Sequence, residues 1–205
     1  EHKDFDEYLL CKAAVFSASR HSIFNSDDIH WRVMAQKALG TINTYAIDSQ
    51  ADFTAHDISL KQSNGLLCTS FIFTAAGQSY PVNLNSPGKF SVYNALAALS
   101  VAAYLKLDLK AAIAAVPASL PKGRMELLNL DAPFSVIVDY AHNAMSLESI
   151  LTSLKQYNPS RIVTLFGCGG DRDPHRRFEM GEVSGKMADL TIITSDNPRD
   201  EDPQA

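Results

Sequence analysis

The sequence predicts an α/β fold, and three observations carry that prediction. In the second half of the chain, residues 135–138, 161–166 and 190–194 are short apolar runs, the second and third entered after helical segments. Leu147, Ile150, Leu151 and Leu154 lie at helical spacing between the first two runs, so strand and helix alternate. In the first half, strand-like runs with turn signals lead into one long apolar helix at residues 89–107. Strands alternating with helices favour a parallel sheet, and three successive strands of that kind make a doubly wound, Rossmann-like half-domain.

Taken in order, residues 1–20 read as a helix, with Phe5, Tyr8, Leu9, Lys12, Ala13 and Phe16 near a 3.6 spacing. Asn25-Ser26-Asp27-Asp28 is a helix-start signal, because short polar side chains accept hydrogen bonds from free backbone N–H groups. Residues 29–39 would be that helix. Residues 44–47 and 53–55 are strands, and 58–61 leads to a turn at Asn64-Gly65. Residues 67–74 and 78–84 pair about Ala76-Gly77 as a hairpin, which gives this portion a mixed, meander character. Pro87-Gly88 ends the meander and opens the helix at 89–107. Phe90, Tyr93, Ala97, Val101 and Tyr104 mark one of its faces, and Leu96, Leu99 and Ala103 another, the pattern of a helix buried on both sides. Residues 109–116 form a further helix and 117–122 a linker. Gly123-Arg124-Met125-Glu126 then opens a second domain, so the expected domains are 1–122 and 123–205.

The 205 residues with 46% hydrophobic content are enough to bury a core in one or two domains. A charged fraction of 20% argues against disorder. The net charge of -5 argues against a general nucleic-acid surface, while Arg172, Arg176 and Arg177 leave room for a local basic pocket. No apolar run approaches a membrane span. Three cysteines without metal-type spacing suggest a reducing, cytoplasmic compartment. The chain begins without Met and stops just after its third doubly wound strand, so a piece of a longer protein is expected.

Each strand of the second half ends in polar residues, and ligands of open parallel sheets sit beyond the carboxyl ends of the strands. Asp139 and His142, Gly167 to Asp173, and Asp196 to Arg199 are thus three walls of one candidate site. Asp139 beside His142 is as compatible with a buried, tethered histidine as with a ligand contact. Cys168 reads as core. Lys12 among apolar neighbours reads as a snorkelling lysine, and a terminal histidine such as His2 as solvent-exposed. Asn94, a mediocre helix former, would need partners if buried. Arg124 beside a linker is open to a ligand or an ion-pair role.

Three stretches, DYAHNAMSLE, FGCGGDRDPHRR and TSDNPRDEDP, resemble the C-terminal domain of the Mur ligases, in that family's order and spacing. The likeness extends over nearly the whole chain. It implies part of the central ATP-binding domain followed by the first half of a Rossmann-like C-terminal domain. It also implies ATP and Mg2+ as cofactors, and a carbamylated Lys12 that helps His2 hold the ion. Gly88, Phe90 and Asn94 fit the family's Gly-x-Phe-x-x-x-Asn, whose Asn contacts the nucleotide. Arg124, Asp139 and His142 are likewise implied as nucleotide contacts. Arg172 is implied to grip the carboxylate of an incoming amino acid, for which a guanidinium fork is suited. Asp196, Asn197 and Arg199 of the Asp-Asn-Pro-Arg motif are implied to read the same amino acid.

The implied activity is ligation of the third stem-peptide residue, meso-diaminopimelate, to UDP-N-acetylmuramoyl-L-alanyl-D-glutamate through an acyl phosphate. The partners are then these substrates alone, for a monomer with no nucleic acid and no membrane. No G-x-x-x-x-G-K-[ST] loop occurs in the chain; in the family it lies earlier, so these residues alone are expected to be inactive. Folylpolyglutamate- and cyanophycin-synthetase-like ligases are alternatives, as is a non-catalytic binding module with the same fold.

Overall fold

In a computed structural model, residues 2–63, 66–119, 121–128 and 130–202 are described. The expected turn at Asn64-Gly65, and Glu1 beside His2, lie outside them. The chain divides into two compact units, residues 1–59 with 68–120 and residues 60–67 with 121–205.

The first unit is built on a five-stranded sheet in the order β1-β2-β3-β4-β5. Helix α1, Phe5–Ser17, is started by Asp4, whose carboxylate accepts the Glu7 N–H. It buries Leu9 and Ala13, and Phe16 meets Phe24 at a centroid distance of 4.5 Å. Strand β1, His21–Asn25, was not legible as a strand, since the polar cluster at its end suggested a helix start. The structure uses that cluster differently. The Asn25 side chain accepts the Asp27 N–H, the Asp28 carboxylate accepts the His30 N–H, and helix α2 is only Trp31–Ala35. Ile29 and Leu39, expected within a longer helix, are among the most exposed apolar residues.

Strand β2, Thr41–Ala46, runs parallel to β1 from the His21–Thr41 pair to the Asn25–Tyr45 pair. Strand β3, Phe53–Ser63, is parallel to β2 only at Tyr45–Phe53 and Ala46–Thr54. A parallel neighbour usually needs a long crossover; here the chain steps sideways at the end of β2, so six residues suffice. Strands β4, Leu66–Ala75, and β5, Gln78–Leu84, form the expected antiparallel hairpin, in register from Thr69–Leu84 to Ala75–Gln78. Its two-residue turn has positive φ at both Ala76 and Gly77, the twist that suits a tight hairpin.

Alternation along β3, β4 and β5 puts Phe53, Ala55, Phe71, Phe73, Val82 and Leu84 on one face. Helix α3, Lys89–Tyr104, covers that face with Val92, Ala95, Leu96 and Leu99. The helix is buried along one side rather than two: Val101 is 46% and Tyr104 42% exposed. Its entry is fixed by paired buried hydroxyls, with Thr69 donating to the Ser86 carbonyl and Ser91 to the Pro87 carbonyl. Helix α4, Leu109–Ala115, is capped by Asp108, and a short 3-10 turn follows at Val116–Ala118.

In the second unit, β6, Glu126–Leu128, pairs antiparallel with β7, Val136–Val138. Helix α5, Ala144–Lys155, starts at Asn143, whose side chain accepts the Ser146 N–H. Strands β8, Val163–Phe166, and β9, Leu190–Ile193, are parallel and joined through helix α6, His175–Met187. Leu147, Leu151 and Met180 form the core, with Ile162, Phe166, Cys168, Val183 and Met187 against them. Thr164, Ser184 and Thr191 link β8, α6 and β9 through their hydroxyls.

The expected succession of three parallel strands is therefore modified. Strands β8 and β9 form a parallel pair, while β7 belongs to a separate antiparallel pair among the described residues. The cause is local: the chain doubles back at Gly123 and Met125, both at positive φ, and lays Glu126–Leu128 along the edge of β7. Among the described residues, no helix is long and apolar enough to cross a membrane.

Candidate functional site

In the first unit, His2 and Lys12 come to one aromatic ring. The His2 ring centroid lies 5.4 Å from that of Tyr8, and the Lys12 Nζ lies 5.4 Å from the same Tyr8 centroid. A residue on α1 and its neighbour four positions on share a helix face, which accounts for Tyr8 and Lys12. Both residues implied as magnesium ligands are exposed. Among the described residues, no three His, Cys, Asp or Glu side chains gather as a metal cluster.

Asn94 stands one turn into α3, exposed rather than buried, and thus accessible to a ligand. Around the start of α3 is a network that the motifs did not announce. The Asp27 carboxylate accepts the Ile47 and Asp48 N–H groups at 2.6 and 3.0 Å, and the Ser49 and Tyr93 hydroxyls at 2.6 and 2.8 Å. Burial pushes the Asp27 carboxyl up, but hydrogen bonds from Ser49, Asp48, Ile47 and Tyr93 outweigh it and hold the pKa at about 2. The Tyr93 hydroxyl moves the opposite way, raised first by burial and then by Asp27. Lys89 pairs with Asp48 at 2.6 Å. The ends of β1 and β2 and the first turn of α3 are joined by this network.

In the second unit, Arg124 forms no ion pair among the described residues. Its guanidinium carbon lies 4.4 Å from the Tyr140 ring centroid. Asp139 accepts the Met125 N–H at 2.8 Å, which anchors the Gly123–Met125 turn to the end of β7. His142 is exposed, with Nδ1 3.1 Å from the Tyr140 carbonyl, so the reading of a buried histidine tethered by Asp139 is corrected. Tyr140, which touches both Arg124 and His142, is a site residue that sequence reasoning passed over. Its position between two polar motif residues, with an aromatic ring, was the available signal. Asp139, His142 and Asp196 also line one cleft of about 850 Å³, whose remaining walls are chiefly apolar residues of α5 and β8.

The loops after β8 and β9 interlock. The Gly170 N–H donates to the Asn197 carbonyl at 2.9 Å, and a Cβ on Gly170 would sit 1.9 Å from the Pro198 carbonyl oxygen. The Asp171 N–H donates to the Glu201 carboxylate at 2.7 Å, the Arg177 guanidinium pairs with the same carboxylate, and the Asp200 N–H reaches Asp171 at 3.3 Å. The hydrogen bond from Arg177, followed by that from Asp171, pulls the Glu201 carboxyl below its ordinary value. Asn197 accepts the Arg199 N–H, and Arg199 itself is held at positive φ. Arg172 and Arg199 are exposed, and neither guanidinium forms an ion pair among the described residues. The suggested Arg172, Arg176 and Arg177 pocket is thus split, since Arg177 is committed to Glu201. Cys168 packs on Met180 at 3.8 Å, a core role as expected.

Comparison with known proteins finds two matched regions along the chain. Residues 1–102 match the Mur ligase middle domain, and residues 123–205 match the Mur ligase glutamate ligase domain. The UDP-N-acetylmuramoyl-L-alanyl-D-glutamate--2,6-diaminopimelate ligase of Caldanaerobacter subterraneus is 38% identical over 204 residues, covering 99% of this chain and 42% of that protein. The protein of the same name from Alkaliphilus oremlandii is 39% identical over 208 residues, covering 98% and 42%. A solved structure of a ligase of this name has a TM-score of 0.66 at 31% identity, over 100% of this chain and 43% of that one. The chain spans about two-fifths of the length of the curated relatives it matches. With two family models side by side over most of its length, and relatives aligned along nearly all of it, the chain belongs to the Mur ligase family.

Proposed function

We propose that this chain serves an ATP-dependent amide-bond ligation that adds meso-diaminopimelate, as the third stem-peptide residue, to UDP-N-acetylmuramoyl-L-alanyl-D-glutamate. The observation that carries the reading is the pair of interlocked loops after β8 and β9. They fix the backbone around Arg172 and Arg199 while neither guanidinium forms an ion pair among the described residues, in a chain whose relatives are named as ligases for this amino acid. Residues 1–122 supply part of the nucleotide side, and residues 123–205 supply the amino-acid side together with further nucleotide contacts. In the reaction, the γ-phosphoryl group of ATP passes to the terminal carboxylate of the muramoyl dipeptide, giving an acyl phosphate and ADP. The amine of diaminopimelate then attacks the acyl carbon, loses a proton and displaces phosphate as the amide forms.

The roles proposed for the side chains are those that the family resemblance implies. Asn94 and Arg124 hold the nucleotide, Arg124 from beside the Tyr140 ring. Asp139 and His142 act on the ribose and phosphates. Arg172 binds the carboxylate beside the reacting amine, and Asp196, Asn197 and Arg199 read the far end of the amino acid. His2 and Lys12 are the residues that would hold magnesium, each exposed near the Tyr8 ring, and a carbamate on Lys12 would offer the oxygens that a hard cation prefers. When bound, the ion would neutralise phosphate charge. Three cysteines with no disulfide among the described residues suit a cytoplasmic enzyme, acting as a monomer.

One set of variants of the intact protein tests the division of labour. Lys12→Ala is expected to abolish ligation. Asn94→Ala and Arg124→Ala are expected to raise the KM for ATP, and Arg172→Ala that for diaminopimelate, each about tenfold to a hundredfold, as for loss of one contact to a charged group. Full activity in Lys12→Ala, or an Arg172→Ala effect confined to ATP, would require the roles to be reassigned.

A further inference from the structure

Two loops must hold their shape if Arg172 and Arg199 are to meet a small, doubly charged amino acid. Loops are the least constrained part of a fold, and a misplacement of about 1 Å at a binding group costs on the order of a hundredfold in rate. The described hydrogen bonds identify a group that supplies the constraint. The Glu201 carboxylate uses one oxygen for the Asp171 N–H and the other for the Arg177 guanidinium. Asp171 directly precedes Arg172, and Glu201 lies two residues after Arg199. Arg177 stands in the first turns of α6, which is itself pinned to the core through Met180. One carboxylate therefore fastens both loops to a rigid helix.

Glu201 has a second effect. The acidic stretch Asp200-Glu201-Asp202 follows Arg199 directly and is the obvious internal partner for its guanidinium. The positive φ of Arg199 turns the chain there, and Glu201 faces Arg177 instead. Asp200 uses its N–H toward Asp171.

We propose that Glu201 is a positioning residue of the amino-acid site, clamping the loops after β8 and β9 through Asp171 and Arg177 so that Arg172 and Arg199 remain free to bind the two carboxylates of a diamino dicarboxylic acid. This rests on the ligase reading above. It adds that selection of the amino acid depends on Arg177 and Glu201, neither of which touches it.

The experiment compares wild type, Glu201→Ala, Glu201→Gln, Arg177→Ala and the double variant Arg177→Ala/Glu201→Ala, with Glu182→Ala as a control that removes a carboxylate from an exposed pair on α6. Steady-state ATP consumption by the intact protein gives KM for ATP, meso-diaminopimelate and L-lysine. Glu201→Ala and Arg177→Ala are each expected to raise the KM for meso-diaminopimelate about tenfold, leave the KM for ATP unchanged and narrow the preference over L-lysine. Glu201→Gln, which retains an acceptor for the Asp171 N–H, should fall between wild type and Glu201→Ala. The double variant should be no worse than Glu201→Ala alone, since removing Glu201 already breaks its pair with Arg177. Partial unfolding would lower kcat through the active fraction and leave KM where it was. Unchanged KM for meso-diaminopimelate in both single variants, in an active protein, would overturn the positioning role alone. A wild type that consumes ATP with no amino acid would instead overturn the ligase reading and take the positioning role with it.

Discussion

Where β1 and β2 end, four donors converge on the Asp27 carboxylate, and its pKa of about 2 lies well below the ordinary 3.8. A depressed folded-state pKa means that the unfolded chain takes up the proton first as pH falls. The stabilisation from Asp27 is therefore complete above about pH 4 and is lost as pH drops toward 2. Asp27→Asn should lower the unfolding temperature at pH 6, and the gap to wild type should close between pH 4 and pH 2. Thermal unfolding followed by circular dichroism over that range measures it, and a constant gap would show that the charge of Asp27 is irrelevant. Little of this could be read from Asn25-Ser26-Asp27-Asp28, where four cap-forming residues imitate a helix start. Asn25 and Asp28 do make local bonds, but the partners of Asp27 lie 20 to 66 residues away, a separation that no local pattern reports.

Among the elements, those whose pattern is carried by their own residues were legible. The β4–β5 hairpin has alternating apolar residues on either side of Ala76-Gly77, and helix α3 has an apolar stripe without breakers. Short elements whose stability comes from neighbours were not. Strand β1 is five residues long and β6 three, and each exists because an adjacent edge is there to be paired. Helix α6 and the loop before it give opposite expectations for the same substitution. A Cβ added at Gly181 or Gly185, both within α6, would meet nothing within 4 Å, whereas one on Gly170 would strike the Pro198 carbonyl at 1.9 Å. Gly181→Ala should stabilise by about 0.5–1 kcal/mol, since glycine loses more backbone freedom in a helix than alanine does. Gly170→Ala should destabilise by roughly 1–3 kcal/mol, the range for an overpacked site, and weaken amino-acid binding as the loops part. Hydrogen exchange across residues 167–202 checks both, and equal protection in Gly170→Ala and wild type would contradict the close-approach argument.

For the whole molecule, the positions of the candidate residues were legible to the extent that motifs end strands. Asp139 and His142 follow β7, Gly167 to Asp173 follow β8, and Asp196 to Arg199 follow β9. What the sequence could not supply was which polar groups are already used. Arg177 looked as available as Arg172 and is engaged by Glu201, while Arg199 looked ready to pair with its acidic neighbours and, among the described residues, does not. That difference bears on the choice of amino acid. Diaminopimelate is lysine with one more carboxylate at its far end, and a carboxylate entering a pocket needs a cationic, preferably bidentate partner. The alternative, a surface pair between Arg199 and an adjacent acid, would contribute only about 0–1 kcal/mol and would leave the second carboxylate unmatched. The most direct measurement is a competition assay on the intact protein, with meso-diaminopimelate and L-lysine together and ATP in excess, for wild type and Arg199→Ala. Wild type should incorporate diaminopimelate in strong preference, and Arg199→Ala should lose most of that preference. Equal or better use of L-lysine by wild type, or an undiminished preference in Arg199→Ala, would contradict the account.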